Sequence, residues 1–333
     1  MKKLFLFVVG IMFAATSFAQ NALVASLSHG ENVSYYYGVT ALQQAVAAAE
    51  SGDIINLSGG SFNATDITKG ITVRGAGIDS PEPTYIVNDF TINIPGDDAN
   101  RFMMEGIRCT NLIYFRGAFA NPYFLKCQFN RIGRWDYDVA ISNIMFANCK
   151  ITGELRAAAN SSYILVNCFV NTLYKQDNAT ITATNCVLIS GGESFSGYNG
   201  QFFNCIFVSK DGGGSWAMPN VSQASNCIAV NFPSSFDLFR DLSVKPNCPS
   251  ASKSYSDVFE TYTGVYSDTE DFKLNEAGKA ILGTDEKEIG LYGGLQPFSS
   301  TPTYPLISTM TVPAKTNDDG KMDVTVGISL PTE

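Results

Sequence analysis

Short runs of alternating apolar and polar residues recur along this chain with a period of about twenty residues. Cysteines at 109, 127, 149, 168, 186, 205, 227 and 248 mark the period, and an apolar residue often stands two positions later, as in Phe129, Ile151, Val170, Leu188 and Phe207. Residues two apart on a strand share a face, so each such pair points to one interior. Six of the cysteines follow an asparagine (Asn148, Asn167, Asn185, Asn204, Asn226, Asn247), a residue that tolerates the left-handed backbone of a tight bend. A strand-and-bend unit repeated at this length is a solenoid. Stacked about 4.8 Å apart, the asparagines are expected to form a hydrogen-bonded ladder, and the cysteines one interior column. An even cysteine count in an exported chain invites disulfides, but parallel in-register side chains suit the disulfide dihedral poorly. Mostly free, buried thiols are therefore expected.

The pattern changes at both ends. Thr40-Ala41-Leu42-Gln43 reads as a capping box, and Ala41, Leu42, Ala45, Val46 and Ala49 form an apolar helical stripe that ends at Ser51-Gly52. The segment Ala22 to Gly38 is β-rich and is expected to pair across the same end. Residues 299–313 are rich in Pro, Ser and Thr and read as linker, while Val324 to Leu330 alternates like a strand.

Gly52-Asp53-Ile54-Ile55-Asn56-Leu57 followed by Lys69-Gly70-Ile71-Thr72-Val73-Arg74-Gly75-Ala76-Gly77 resembles the opening coils of pectate-lyase-like right-handed β-helix proteins. The runs Asp271 to Leu274, Gly278 to Ile281 and Glu288 to Gly294 resemble the closing coils of exported bacterial β-helix proteins. The resemblance spans about residues 40–298 and implies a right-handed parallel β-helix; with the helix and strand read at the two ends, the expected fold is an all-β, right-handed parallel β-helix with an N-terminal capping helix and a C-terminal β tail. The expected division is 1–19 signal peptide, 20–52 cap, 53–298 β-helix, and 299–333 linker and strand. Function follows only loosely, because this architecture carries lyases, hydrolases, adhesins and passive binders.

Composition adds compartment and charge. Lys2 and Lys3 precede the apolar run Leu4 to Ala15, and Ser17-Phe18-Ala19 is a small-x-small cleavage site before Gln20. That run is too short to span a bilayer comfortably, and no other segment is suited to crossing one. The mature chain is thus expected to be exported: secreted, at the cell surface or periplasmic. The net charge of −9 argues against nucleic acid as a partner. The charge is uneven: residues 101–175 hold nine basic and four acidic side chains, and residues 176–333 hold nine basic and eighteen acidic ones.

Counting seven positions from successive cysteines gives Arg116, Arg134, Arg156 and Lys175, followed by Glu193. In register, these four cations would form a row spaced by about 4.8 Å, and like charges so close repel unless screened or bound to anions. Tyr114, Phe115, Trp135, Tyr137 and Tyr174 stand near the row and suit stacking on sugar rings. Arginine suits carboxylates. The expected ligand is therefore an acidic polysaccharide or cell-surface glycan, bound by Arg116, Arg134, Arg156, Lys175, Trp135 and Tyr137. The alternative is a set of solvated cations neutralised by Glu154, Asp136 or Asp177.

Catalytic signals are weaker. The Arg-x-Pro-x-x-Arg pattern of pectate lyases is missing. Asp136 and Asp177 both lie nine after a cysteine, two coils and roughly 9.5 Å apart, the upper limit for an inverting pair. Asp97-Asp98 follows Pro95-Gly96 and reads as a turn. The sole histidine, His29, precedes the coils and reads as a turn or cap residue. No cofactor is called for; Asn317-Asp318-Asp319-Gly320 reads as a turn rather than a calcium loop. The expectation is a non-catalytic, glycan-binding or adhesive exported protein, with a polysaccharide lyase or glycoside hydrolase as the enzymatic alternative and a purely structural surface component third.

Overall fold

The computed structural model describes residues 23–333 except 118, 134–138, 176–177, 191–198, 211, 213–217, 219–220, 268, 312–318, 322–324 and 330–333. The expected leader therefore lies outside the described residues. The chain forms a parallel β-solenoid of about 8 turns. Its first sheet has eleven strands. It begins with β2 (Asn32–Tyr37), β1 (Val24–His29) and β3 (Ile54–Leu57) and continues through one strand per coil to Val221–Ser225. A second eleven-stranded sheet faces it, running from Gly60–Asn63 to Ile228–Val230.

The interior is built from columns of like position. On the first sheet Ile55, Val73, Met104, Phe124, Phe146, Leu165, Ala183, Phe202 and Ala224 succeed one another in register, and all are buried. Phe124 and Phe146 stack with ring centroids 4.8 Å apart. On the second sheet Phe62, Ile86, Cys109, Phe129, Ile151, Val170, Leu188, Phe207 and Ala229 do the same. Alternation with period two thus fills one apolar core between the sheets.

The bend expectation is met: Asn148, Asn167, Asn185, Asn204, Asn226 and Asn247 all have φ between 49° and 55°. Lys126 (φ 52°) and Gly106 (φ 68°) occupy the same bend in earlier coils. All eight cysteines are free thiols, seven of them buried. Burial pushes the Cys127 thiol up to about 12. One expectation is corrected. Gln128 pairs with Arg108 and Phe129 with Cys109, so Cys127 lies beside Ile107, and Cys109 belongs to the neighbouring interior column. The cysteine column starts at Cys127.

At the N-terminal end, β1 pairs antiparallel with both β2 and β3. Helix α1 (Ala41–Ala48) buries Ala41, Leu42, Ala45 and Val46 in the solenoid core. The expected capping box is not formed, because the Thr40 side chain makes no cap hydrogen bond. Gln43 instead donates to the Ala64 carbonyl at 3.0 Å, tying the helix to the first coil.

The C-terminal third departs from the expected closing coils. Among the described residues the last parallel bridge is Val230 to Lys253. The chain then returns along the outside as a strap. Val258, Phe259, Tyr262, Phe272, Leu274, Ile289 and Leu291 cover the outward-facing Phe169, Val187, Ile189, Ile206, Val208, Ile228 and Val230 of the second sheet. Along its edge the strap meets the bend column in reverse order. Asn226 donates to the Leu282 carbonyl (3.0 Å), Asn204 accepts from the Thr284 amide (3.0 Å), and Asn167 donates to the Leu291 and Gly293 carbonyls (2.9 and 2.8 Å). Farther on, Lys126 Nζ donates to the Thr301 carbonyl at 2.5 Å, and Glu105 Oε1 accepts from the Thr303 amide and hydroxyl at 2.6 and 2.7 Å. The Tyr304 hydroxyl donates to the Gly75 carbonyl. Residues 299–304, expected as linker, are therefore docked. The bend asparagines mainly hold this strap; an amide-to-amide rung links Asn247 to Asn226 at 3.1 Å. The tail closes with an antiparallel pair, Leu306–Thr311 and Thr325–Ser329.

Candidate functional site

The outward face of the second sheet changes character along the solenoid. Tyr85, Arg108, Gln128, Lys150 and Phe169 occupy one register column. Phe169 is stacked under Phe272 at 4.4 Å between centroids, so the strap seals the column there. Upstream of that seal the strap and the surface diverge into an open cleft of about 620 Å³, lined by Asp79, Arg108, Lys150, Asp271, Tyr292 and Phe298 among others. The site is made where an apolar cover ends on a charged column.

Arg108 is well anchored. Its Nε donates to the Ile78 carbonyl at 2.5 Å, its Nη2 lies 3.2 Å from Asp79 Oδ1, and its guanidinium sits 5.8 Å from the Tyr85 ring centre. Lys150 is less completely partnered. Its side chain is only 10% exposed, its ammonium lies 4.0 Å from Asp79 Oδ2, and it stands 5.4 Å over the Phe298 ring. No hydrogen-bond acceptor for Lys150 Nζ occurs among the described residues within ordinary reach. A largely desolvated ammonium with a distant counterion favours an added anion.

Among the cleft carboxylates, Asp271 is shifted toward its ionised form. For Asp271, burial acts to raise the pKa. The hydrogen bond from Lys273 (2.7 Å), a backbone amide and the charges of Lys273 and Lys150 outweigh it, leaving the group below its ordinary value. Burial, reinforced by surrounding carboxylates, pushes the Tyr292 hydroxyl up to about 12. Tyr292 thus stays neutral at ordinary pH and presents a ring and an O–H. Among the described residues no group of three His, Cys, Asp or Glu side chains is placed to hold a metal. No helix among them is long and apolar enough to cross a membrane.

Among the described residues, the cations expected to form a row do not share one register. Arg116 pairs in register with Asn93 and lies 5.5 Å from the Tyr114 ring centre. Arg156 pairs with Tyr174, lies 5.8 Å from its ring centre and is bound to Glu154 at 2.7 Å. Lys175 pairs with Ala157, one position away from Arg156. The row is broken for three reasons: Cys109 is not in the cysteine column, the pairing shifts by one residue between Phe129 and Arg131, and the separation shortens by one residue between the Ile151–Val170 and Leu155–Leu173 pairs. Phe115, proposed to stack on sugar, is fully buried. Arg134, Trp135 and Tyr137 lie outside the described residues, as do Asp136, Asp177 and Glu193. Asp98 is a turn residue as expected, accepting from the Gly70 and Asn100 amides at 2.8 and 2.9 Å. Arg108 and Lys150 were missed because the count ran from the cysteine. Both lie two positions after the left-handed bend residues Gly106 and Asn148, as does Gln128 after Lys126.

No family model matches the chain, and neither a curated protein nor a solved structure matches it.

Proposed function

We propose that this is an exported, non-catalytic β-solenoid protein that binds acidic polysaccharide in the cleft between the second sheet and the returning strap. The reading rests on Lys150: a cation largely removed from water, 4.0 Å from its counterion, beside an aromatic ring in an open cleft. A uronate carboxylate supplies the missing acceptor, Tyr292 and Phe298 offer ring faces for the sugar, and Arg108 with Asp79 forms the polar wall. A binding role is favoured over hydrolysis because hydrolysis needs a carboxyl that stays protonated to protonate the leaving oxygen. Asp271 is shifted in the opposite direction.

The test is titration calorimetry of the full mature chain with polygalacturonate, alginate and a neutral glucan, alongside an assay for new unsaturated or reducing ends. Binding of an acidic polymer without cleavage is expected, and Lys150→Met should weaken it at least about tenfold, the scale of a lost charge-assisted hydrogen bond. Equal binding of the neutral glucan, or unchanged affinity in Lys150→Met, overturns the assignment. Appearance of new chain ends converts the reading to a lyase or hydrolase. Arg116→Ala and Arg156→Ala are expected to leave the affinity within about twofold, since neither lines the cleft and Arg156 is already paired with Glu154.

A further inference from the structure

We propose that β2 is a self-association edge, onto which a second copy of this chain adds its own β2 antiparallel across a two-fold axis. This stands independently of the glycan cleft.

Strand β2 is the terminal strand of the first sheet and pairs along its whole length with β1. In an antiparallel pair, alternate residues turn their N–H and C=O groups away from the partner strand. One edge of β2 therefore lacks a strand partner among the described residues. Side chains reinforce the demand. Val33, Tyr35 and Tyr37 occur at every second position and are 50%, 60% and 63% exposed, and Val39 just beyond is 52% exposed. These four are nearly half of the nine large exposed hydrophobics on the described chain, so the exposure is concentrated rather than scattered.

Natural sheet edges are usually blunted by lysine, proline or a bulge. From Asn32 to Val39 there is no charge and no proline, and the β1–β2 register is unbroken. The charge pattern places a second copy at this strip rather than elsewhere on the surface. A chain of net charge −9 repels its own copy over most orientations, and this uncharged strip is a place where two copies can meet.

The register follows from the exposed faces. Opposed residues in an antiparallel pair point to the same side, and the register that pairs all three exposed side chains sets Val33 against the second copy's Tyr37 and Tyr35 against its own counterpart on the axis. Six residues a side make a small interface, and the association should be weak and concentration-dependent. Added salt, by screening the net charge, should strengthen it.

Sedimentation of the mature chain over a concentration series tests this. The wild type is expected to pass from monomer to dimer. Tyr35→Lys and Tyr35→Glu should each remain monomeric with unchanged melting temperature, and an equimolar mixture of the two should recover the dimer. A wild type that stays monomeric at about 1 mM in 0.5 M salt, where even weak specific pairs form, overturns the proposal. So do single variants that dimerise like the wild type, or a mixture that fails to recover.

Discussion

His29 is the chain's sole histidine, and its Nδ1 lies 2.8 Å from Oδ1 of the buried Asp53. Asp53 Oδ2 also accepts the Glu50 amide at 2.8 Å, so one carboxylate joins the end of β1 to the chain leaving α1. The Asp53 hydrogen bond first, then the charges of Asp53 and Glu50, raise the imidazole above its ordinary value of 6.5. A histidine whose folded pKa is raised contributes stability that is fully present below its unfolded pKa and is lost as pH rises through the folded value. The N-terminal cap should therefore loosen as pH climbs from about 6.5 through the midpoint of His29. With a single histidine, its imidazole resonances report that midpoint directly. It should lie above 6.5 and fall in Asp53→Asn; a wild-type midpoint at or below 6.5 would remove the switch. The sequence identified His29 as a turn residue, and it does end β1 before the turn at Gly30. Its link to Asp53, twenty-four residues on, is a tertiary contact with no local signature.

At the level of elements, the bend column and the strap depend on each other. Full burial of a large apolar side chain contributes about 1.5–3 kcal/mol, against about 1 kcal/mol for a net hydrogen bond. The strap is thus held chiefly by apolar contact over Phe169 to Val230 and by polar contact beyond it. Asn167 joins the two regimes, being 1% exposed, left-handed at φ 49° and bonded to two strap carbonyls. Asn167→Gly keeps the bend and loses the bonds, a cost of about 2 kcal/mol. Asn167→Ala adds about 1–2 kcal/mol of left-handed strain. Urea melts should rank the two in that order, and equal costs would mean that the backbone shape contributes nothing. The period and the asparagine bends were legible because each coil repeats the same local demand. Register was not, because arcs between bends gain or lose a residue without changing that demand: Gly106 replaces the bend asparagine one coil before Lys126, and Cys109 then mimics the wrong column. The strap was misread for a related reason. Its Asp271 to Gly294 runs have the apolar spacing of coils, and only long-range pairing distinguishes a coil from a cover. The cleft was hidden with it, since its Tyr292 and Phe298 wall comes from the strap.

For the whole molecule, the strap changes how stability is shared. Coils of a solenoid contact only their neighbours, so such arrays unfold piecewise from their weakest end. Here Thr303 reaches Glu105 across 198 positions of sequence and Tyr304 reaches Gly75 across 229. The apolar half of the same segment lies on coils as late as Val230. One continuous segment therefore touches early and late coils and couples their opening. Deleting residues 299–333 removes the early anchors while leaving Val258 to Leu291 on the late coils. It also leaves Glu105, fully buried, without the two donors that satisfy Oε1, and an abandoned buried acceptor costs about 1–3 kcal/mol or more when charged. The full mature chain is expected to unfold in one transition by all probes. The truncated chain should lose amide-exchange protection first at Thr72–Arg74 and Met103–Glu105, while Ile206–Ser209 keeps its own. Uniform loss of protection along the solenoid would show that the coils are coupled through the core alone, and unchanged protection would show that the early anchors carry no stability.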